Sequence, residues 1–161
     1  MQIGPVGGGS SSATFKGAAA YMSGTQSIAT PNVSTVLTLD TQSYDVGACW
    51  SVGAPTRMIA PVSGYYLVQA AVTWAAGTDS TTREIRIRLN AAGVAGAGTS
   101  VALQSMPAIA TAGVSTTMRC SAVIYMAAAE YVEAFCLQNT AGALNASMAV
   151  GQAFSIALLG T

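Results

Sequence analysis

Two pairs of carboxylates are spaced closely enough to share a cleft: Asp40 with Asp45, and Glu130 with Glu133. Glycoside hydrolysis needs such a pair, one acid to protonate the leaving oxygen and the other to activate water or attack the sugar. Nothing in either spacing sets both groups against one substrate, and solvated loop charge is the simpler reading. Asp40, Asp45 and Asp79 offer oxygen ligands of the kind calcium takes, but without the D-x-D-x-D-G order of an EF-hand loop. The chain has no histidine, which removes Ser-His-Asp and Cys-His nucleophilic sites and the commonest transition-metal ligand. Cys49, Cys120 and Cys136 lie far apart with no C-x-x-C pair. They are expected as small buried hydrophobes, not as disulfides or zinc ligands. The glycine-rich runs at Gly7-Gly8-Gly9 and Gly93-Val94-Ala95-Gly96 lack the Gly-Lys-Ser/Thr ending of a phosphate cradle. No enzyme activity and no cofactor are expected.

Binding is the chemistry that remains. Arg86 and Arg88 alternate along one strand face beside Glu84 and offer a surface contact for an acidic glycan or a neighbouring subunit, against the simpler reading of a solvated face. Trp50, Trp74, Tyr44 and Tyr125 would stack on sugar rings if exposed; such aromatics more often sit in a core or interface.

Composition favours assembly. Charged residues are 7% of the chain, against roughly 25% in an average soluble protein. So little charge cannot coat an isolated monomer, and much of its surface is expected to be hidden against copies of itself or a larger assembly. Net charge is zero, so the basic footprint that nucleic-acid binding requires is missing. The most apolar window, Ala122 to Leu137, contains Glu130 and Glu133, and membrane insertion would strand both. The first residues lack the basic start and apolar run of a secretion signal, so retention in a cytoplasm is expected.

The elements that must position these residues are strands. Residues 1–17 are Gly/Ser-rich and are expected to form a flexible arm, with Ile3, Val6 and Phe15 as apolar anchors for a partner. From residue 18 to 161, short Val/Ile/Thr/Tyr-rich runs punctuated by Gly, Pro, Asn and Ser predict one all-β head domain. Arg83 to Leu89 puts Ile85, Ile87 and Leu89 on one face and Glu84, Arg86 and Arg88 on the other. Tyr65 to Trp74 puts Tyr66, Val68, Ala70, Val72 and Trp74 on one face, and leaves a second face that is only mildly polar. In a two-sheet sandwich that second face needs another cover, most simply a neighbouring subunit. Tyr65, Tyr66, Leu67, Trp74, Phe135 and Phe154 are therefore expected in the core or at a subunit interface. Further strands are expected at 33–39, 57–60, 117–126, 131–137 and 153–159, with 93–113 as loops around one or two weak strands. A helix competes for 122–137 because Ala127-Ala128-Ala129-Glu130 has high helical propensity, but Val123, Ile124, Tyr125, Tyr131, Val132 and Phe135 favour two strands joined by a turn at 127–130.

The segment Met58-Ile59-Ala60-Pro61-Val62-Ser63-Gly64-Tyr65-Tyr66-Leu67-Val68 resembles the central signature of the complement-component-one-q-like and tumour-necrosis-factor-like jelly rolls. Ile85 to Asn90 is similar to that family's strand ending in Asn before a turn, and Phe154 to Leu159 to its closing strand. The resemblance implies an antiparallel two-sheet jelly-roll sandwich that assembles as a homotrimer. Where the family has Leu, two residues and Gly-Asp, this chain has Met126-Ala127-Ala128-Ala129-Glu130, so an altered turn is expected. No collagen-like Gly-X-Y run lies upstream of the head. A short arm on a bare head resembles bacteriophage head fibres, decoration proteins and fibre tips. That implies a trimeric virion structural protein, assembled in the host cytoplasm and displayed on the virion surface. It would be anchored by its arm to capsid or other virion proteins. The alternative is a receptor-binding tip of a tail fibre that contacts a host-surface glycan.

Overall fold

The computed structural model describes residues 14–29, 32–77, 82–109 and 111–161. Ile3, Val6 and Asp79 lie outside them. The described residues form twelve strands in two antiparallel sheets and no α-helix. One sheet contains β1 (Gly17–Tyr21), β2 (Thr25–Ile28), β4 (Thr41–Val46), β6 (Gly64–Trp74), β9 (Thr116–Met126), β11 (Leu144–Ser147) and β12 (Phe154–Gly160). The other contains β3 (Thr35–Val36), β5 (Arg57–Ile59), β7 (Thr82–Leu89), β8 (Thr99–Pro107) and β10 (Tyr131–Gln138). A single 3-10 turn spans Val150–Gln152.

Strand β6 organises the larger sheet. Its whole length pairs with β9 along one edge, while the other edge pairs with β12 at Tyr65–Gln69 and with β11 at Thr73–Trp74. Alternation then does what a pleated strand requires. Tyr66, Val68, Ala70, Val72 and Trp74 are buried, and Met118, Phe154 and Ile156 join them in the same core cluster. The opposing sheet supplies Ile85, Ile87, Val132, Ala134 and Cys136. Phe135 is also buried, on the other face of its strand.

The Ala-Pro-x-x-Gly-Tyr segment acts through space and a hydrogen bond. Ala60 is buried and its N–H donates to the Glu130 carbonyl, so β5 ends against the β9–β10 turn. A Cβ on Gly64 would lie 2.5 Å from the Gly160 carbonyl oxygen and 2.7 Å from a Leu158 methyl. Gly64 is therefore needed for close approach to the closing strand. Tyr66 is the buried tyrosine of the pair, its hydroxyl donating to the Val62 carbonyl at 2.7 Å.

Several expectations change. Residues 33–39 narrow to the two-residue β3, although Leu37 and Leu39 are buried. In the region 93–113, expected as loops around one or two weak strands, a single nine-residue strand, β8, forms. Residues 126–130 keep a tight turn despite losing the family's glycine: Ala129 adopts φ +71°, and the Glu130 side chain accepts from the Ala127 N–H at 2.8 Å. Arg88 is not a surface residue. It stays on the outer face of β7, opposite Glu133 of β10, but the loop after β7 covers it and leaves it 8% exposed. Its guanidinium donates to the Ala97 and Gly98 carbonyls at 2.5 and 3.2 Å.

Candidate functional site: the open face of the larger sheet

The carboxylates close turns. Asp40 accepts from Ser23 N and Oγ, both at 2.7 Å, and from Thr41 Oγ1 at 2.8 Å. The Ser23 hydroxyl, then its amide and Thr41, hold the Asp40 pKa below the ordinary aspartate value. Asp45 accepts from the backbone of Cys49 at 2.8 Å and Trp50 at 3.3 Å. Glu130 takes Asn90 Nδ2 and Ala127 N, both at 2.8 Å. Glu133 has a fully buried side chain; it accepts from Thr56 Oγ1 at 2.7 Å, Arg57 Nε at 3.3 Å and Gly93 N at 2.8 Å. It thereby ties the loop before β5 to the loop after β7. Each carboxylate is thus committed to backbone or side-chain donors of its own turn or loop. Among the described residues no three His, Cys, Asp or Glu side chains form a metal-binding group.

The three thiols are free and buried. Burial, with Asp45 adding to it, pushes Cys49 up to about 11. Burial pushes Cys120 up to about 12 and raises Cys136 well above the ordinary thiol value. Such thiols are poor nucleophiles at neutral pH.

Cross-strand register defines the outer face of the larger sheet, which is largely exposed toward the start of β6. Directly paired residues point to the same side of a sheet. The outward series is Tyr65 with Tyr125, Leu67 with Val123 and Ala157, and Gln69 with Ser121 and Ser155. It continues through Ala71 with Arg119 and Thr73 with Thr117. On the β1 side, Ala19 follows Ser155, and Tyr44 follows Ala19. The row splits by polarity along the strands. Toward the start of β6 lie Tyr65 (57% exposed), Val123 (57%), Tyr125 (56%) and Leu159 (57%). Tyr65 and Tyr125 meet edge to face, with ring centroids 5.5 Å apart. Toward the end of β6 the residues are hydroxyls, amides and Arg119.

The six aromatic and aliphatic positions named from the sequence therefore separate. Tyr66, Trp74, Phe135 and Phe154 are buried, Leu67 is half-buried, and Tyr65 is exposed on the open face. Phe15 is half exposed and packs against Tyr44 at a centroid distance of 6.1 Å, so it borders the same sheet. Arg86 pairs with Glu84 at 2.8 Å. Arg119 and Ser121 escaped the sequence reading because only the β6–β9 register sets them opposite Ala71 and Gln69, and Gln152 because only the fold brings it to Thr73.

This geometry is a jelly roll of the tumour-necrosis-factor and complement-one-q type, with a core between two antiparallel sheets and one outer sheet face left open. No protein-family model and no curated protein sequence matches the chain. Solved structures do match. Murine APRIL aligns over 90% of this chain and 99% of its own at 11% identity and a TM-score of 0.63. The globular domain of zebrafish complement 1qA aligns over 89% and 96% at 12% identity and 0.58. Eiger TNF from S. frugiperda aligns over 89% and 90% at 14% identity and 0.57.

Proposed function

We propose that the chain is a non-enzymatic structural protein whose heads associate as a homotrimer through the open face of the larger sheet. The observation that carries this reading is the exposed apolar group Tyr65, Val123, Tyr125 and Leu159 on one sheet face. A chain with 7% charged residues has little else to keep such a patch soluble. A second copy covers the face and removes the patch from water.

The assembled heads decorate a virion surface or form a short head fibre, after assembly in the host cytoplasm. Residues 1–17 attach them to capsid or other virion proteins. The Gly/Ser-rich composition of that segment supports the role, as do its apolar Ile3 and Val6. Phe15 serves the head instead, through Tyr44. Co-sedimentation with capsids tests the attachment. The full chain is expected to pellet with them, and the double variant Ile3→Ser, Val6→Ser to stay in the supernatant. Equal pelleting of both would overturn the anchoring role.

A further inference from the structure

On the smaller sheet, away from the face given to assembly, a pocket of ≈300 Å³ lies between the loop before β5 and the loop after β7, with Gly53, Thr56, Arg57, Gly93 and Glu133 among its lining residues. Register sets its chemistry. Glu133 of β10 pairs with Arg57 of β5 on one side and Arg88 of β7 on the other. Its neighbours Val132 and Ala134 belong to the core, so all three charged residues project from the outer face of the smaller sheet. Two cations flank one carboxylate, and the row carries a surplus positive charge. Arg88 commits its guanidinium to the Ala97 and Gly98 carbonyls. The surplus therefore meets solvent at Arg57, whose side chain is 36% exposed.

Arg57 is fixed on two sides. Its Nε donates to Glu133 Oε1 at 3.3 Å, and its guanidinium carbon stands 4.2 Å from the centre of the Tyr131 ring. Among the described residues neither Nη group has a hydrogen-bond partner. The edge that carries both Nη groups can take a carboxylate through two parallel N–H···O bonds. A guanidinium held in advance lowers the ordering cost of that pairing. Val52 and Val94, next to the two pocket glycines, are 77% and 57% exposed, so the same loops offer apolar surface beside the charge.

We propose that this pocket binds a small carboxylate with a short apolar body, the Arg57 Nη groups pairing its two oxygens. The site goes beyond the assembly reading and stays open when copies cover the larger sheet. NMR titration of the full-length protein with propionate, and with propionamide as the uncharged control of the same shape, tests it. Saturable shifts of the Gly53 and Gly93 amide signals are expected, with half-saturation on the order of 1–10 mM for so few ligand atoms and propionamide at least about tenfold weaker. Arg57→Gln would leave the buried Glu133 carboxylate without its ion pair and so perturb the fold as well as the site. Arg57→Lys keeps the charge and loses the fork. That variant is expected to bind propionate about tenfold or more weakly, with an unchanged circular dichroism spectrum. No saturation by about 100 mM, equal binding of propionamide, shifts centred away from the two loops, or an unaffected Arg57→Lys variant would each overturn the site. Binding is expected whatever native mass the same samples show, so failure of the assembly and failure of the pocket are read separately.

Discussion

A left-handed backbone at Ala129 is strained for any residue with a Cβ, at roughly 1–2 kcal/mol. The turn persists because Glu130 caps the Ala127 N–H and the Ala129 N–H donates to the Ala60 carbonyl at 2.8 Å. Glycine would remove the strain but add entropy to the unfolded chain, which offsets part of the gain. Ala129→Gly is therefore expected to raise stability by about 0.5–1 kcal/mol, measured by urea denaturation. The thiols make a second residue-scale prediction. With Cys49 near 11 and Cys120 near 12 in the folded protein, native protein should react slowly with a thiol reagent at pH 8 and release three equivalents once unfolded. Because the folded values lie above the unfolded value of 9.0, the unfolded chain loses these protons first. The stabilisation is fully present below pH 9.0 and declines as pH rises toward 11 and 12. A denaturation midpoint that stays flat through that range would contradict the burial.

Strand identity was legible wherever apolar alternation ran long, as in β6, β7, β9, β10 and β12. It was hidden where small residues replace large ones, because Ala and Gly give no periodic contrast; β1 is the example, and β8 was legible only as a weak strand without bounds. The short polar strands β2 and β11 pair with one another and with the end of β6, a long-range choice that local sequence does not encode. Arg88 shows a further limit, since its strand face was read correctly but the loop that covers it and accepts its guanidinium lies about ten residues on and leaves no trace in the local pattern. The carboxylate candidates were visible as residues, but their role as turn closures depends on backbone donors that only the fold brings near. Two substitutions test the packing of β6. Trp74→Ala should cost ~3–5 kcal/mol through the cavity it leaves at the core's end. Gly64→Ala should cost about 3 kcal/mol, at the upper end for overpacking, because its new methyl meets the Gly160 carbonyl, which is backbone and cannot rotate away. If Gly64→Ala proved neutral in calorimetry, the close approach of β6 and β12 would be wrong.

At the scale of the whole molecule, scarcity of charge and the uncovered sheet face point the same way. Composition alone announced a need for cover, and the mildly polar second face of Tyr65 to Trp74 located it on a strand. The register then divided that face into an apolar end and a polar end, a division no single segment of sequence displays. The most direct test of the central claim is the native mass of the purified full-length chain, by light scattering on a sizing column, alongside the variant Tyr65→Glu, Val123→Glu. We predict three times the 16.1 kDa chain mass for the parent, and a folded monomer for the variant. A parent that remains monomeric at micromolar concentration, or a double variant that still elutes as a trimer, would contradict assembly through this face.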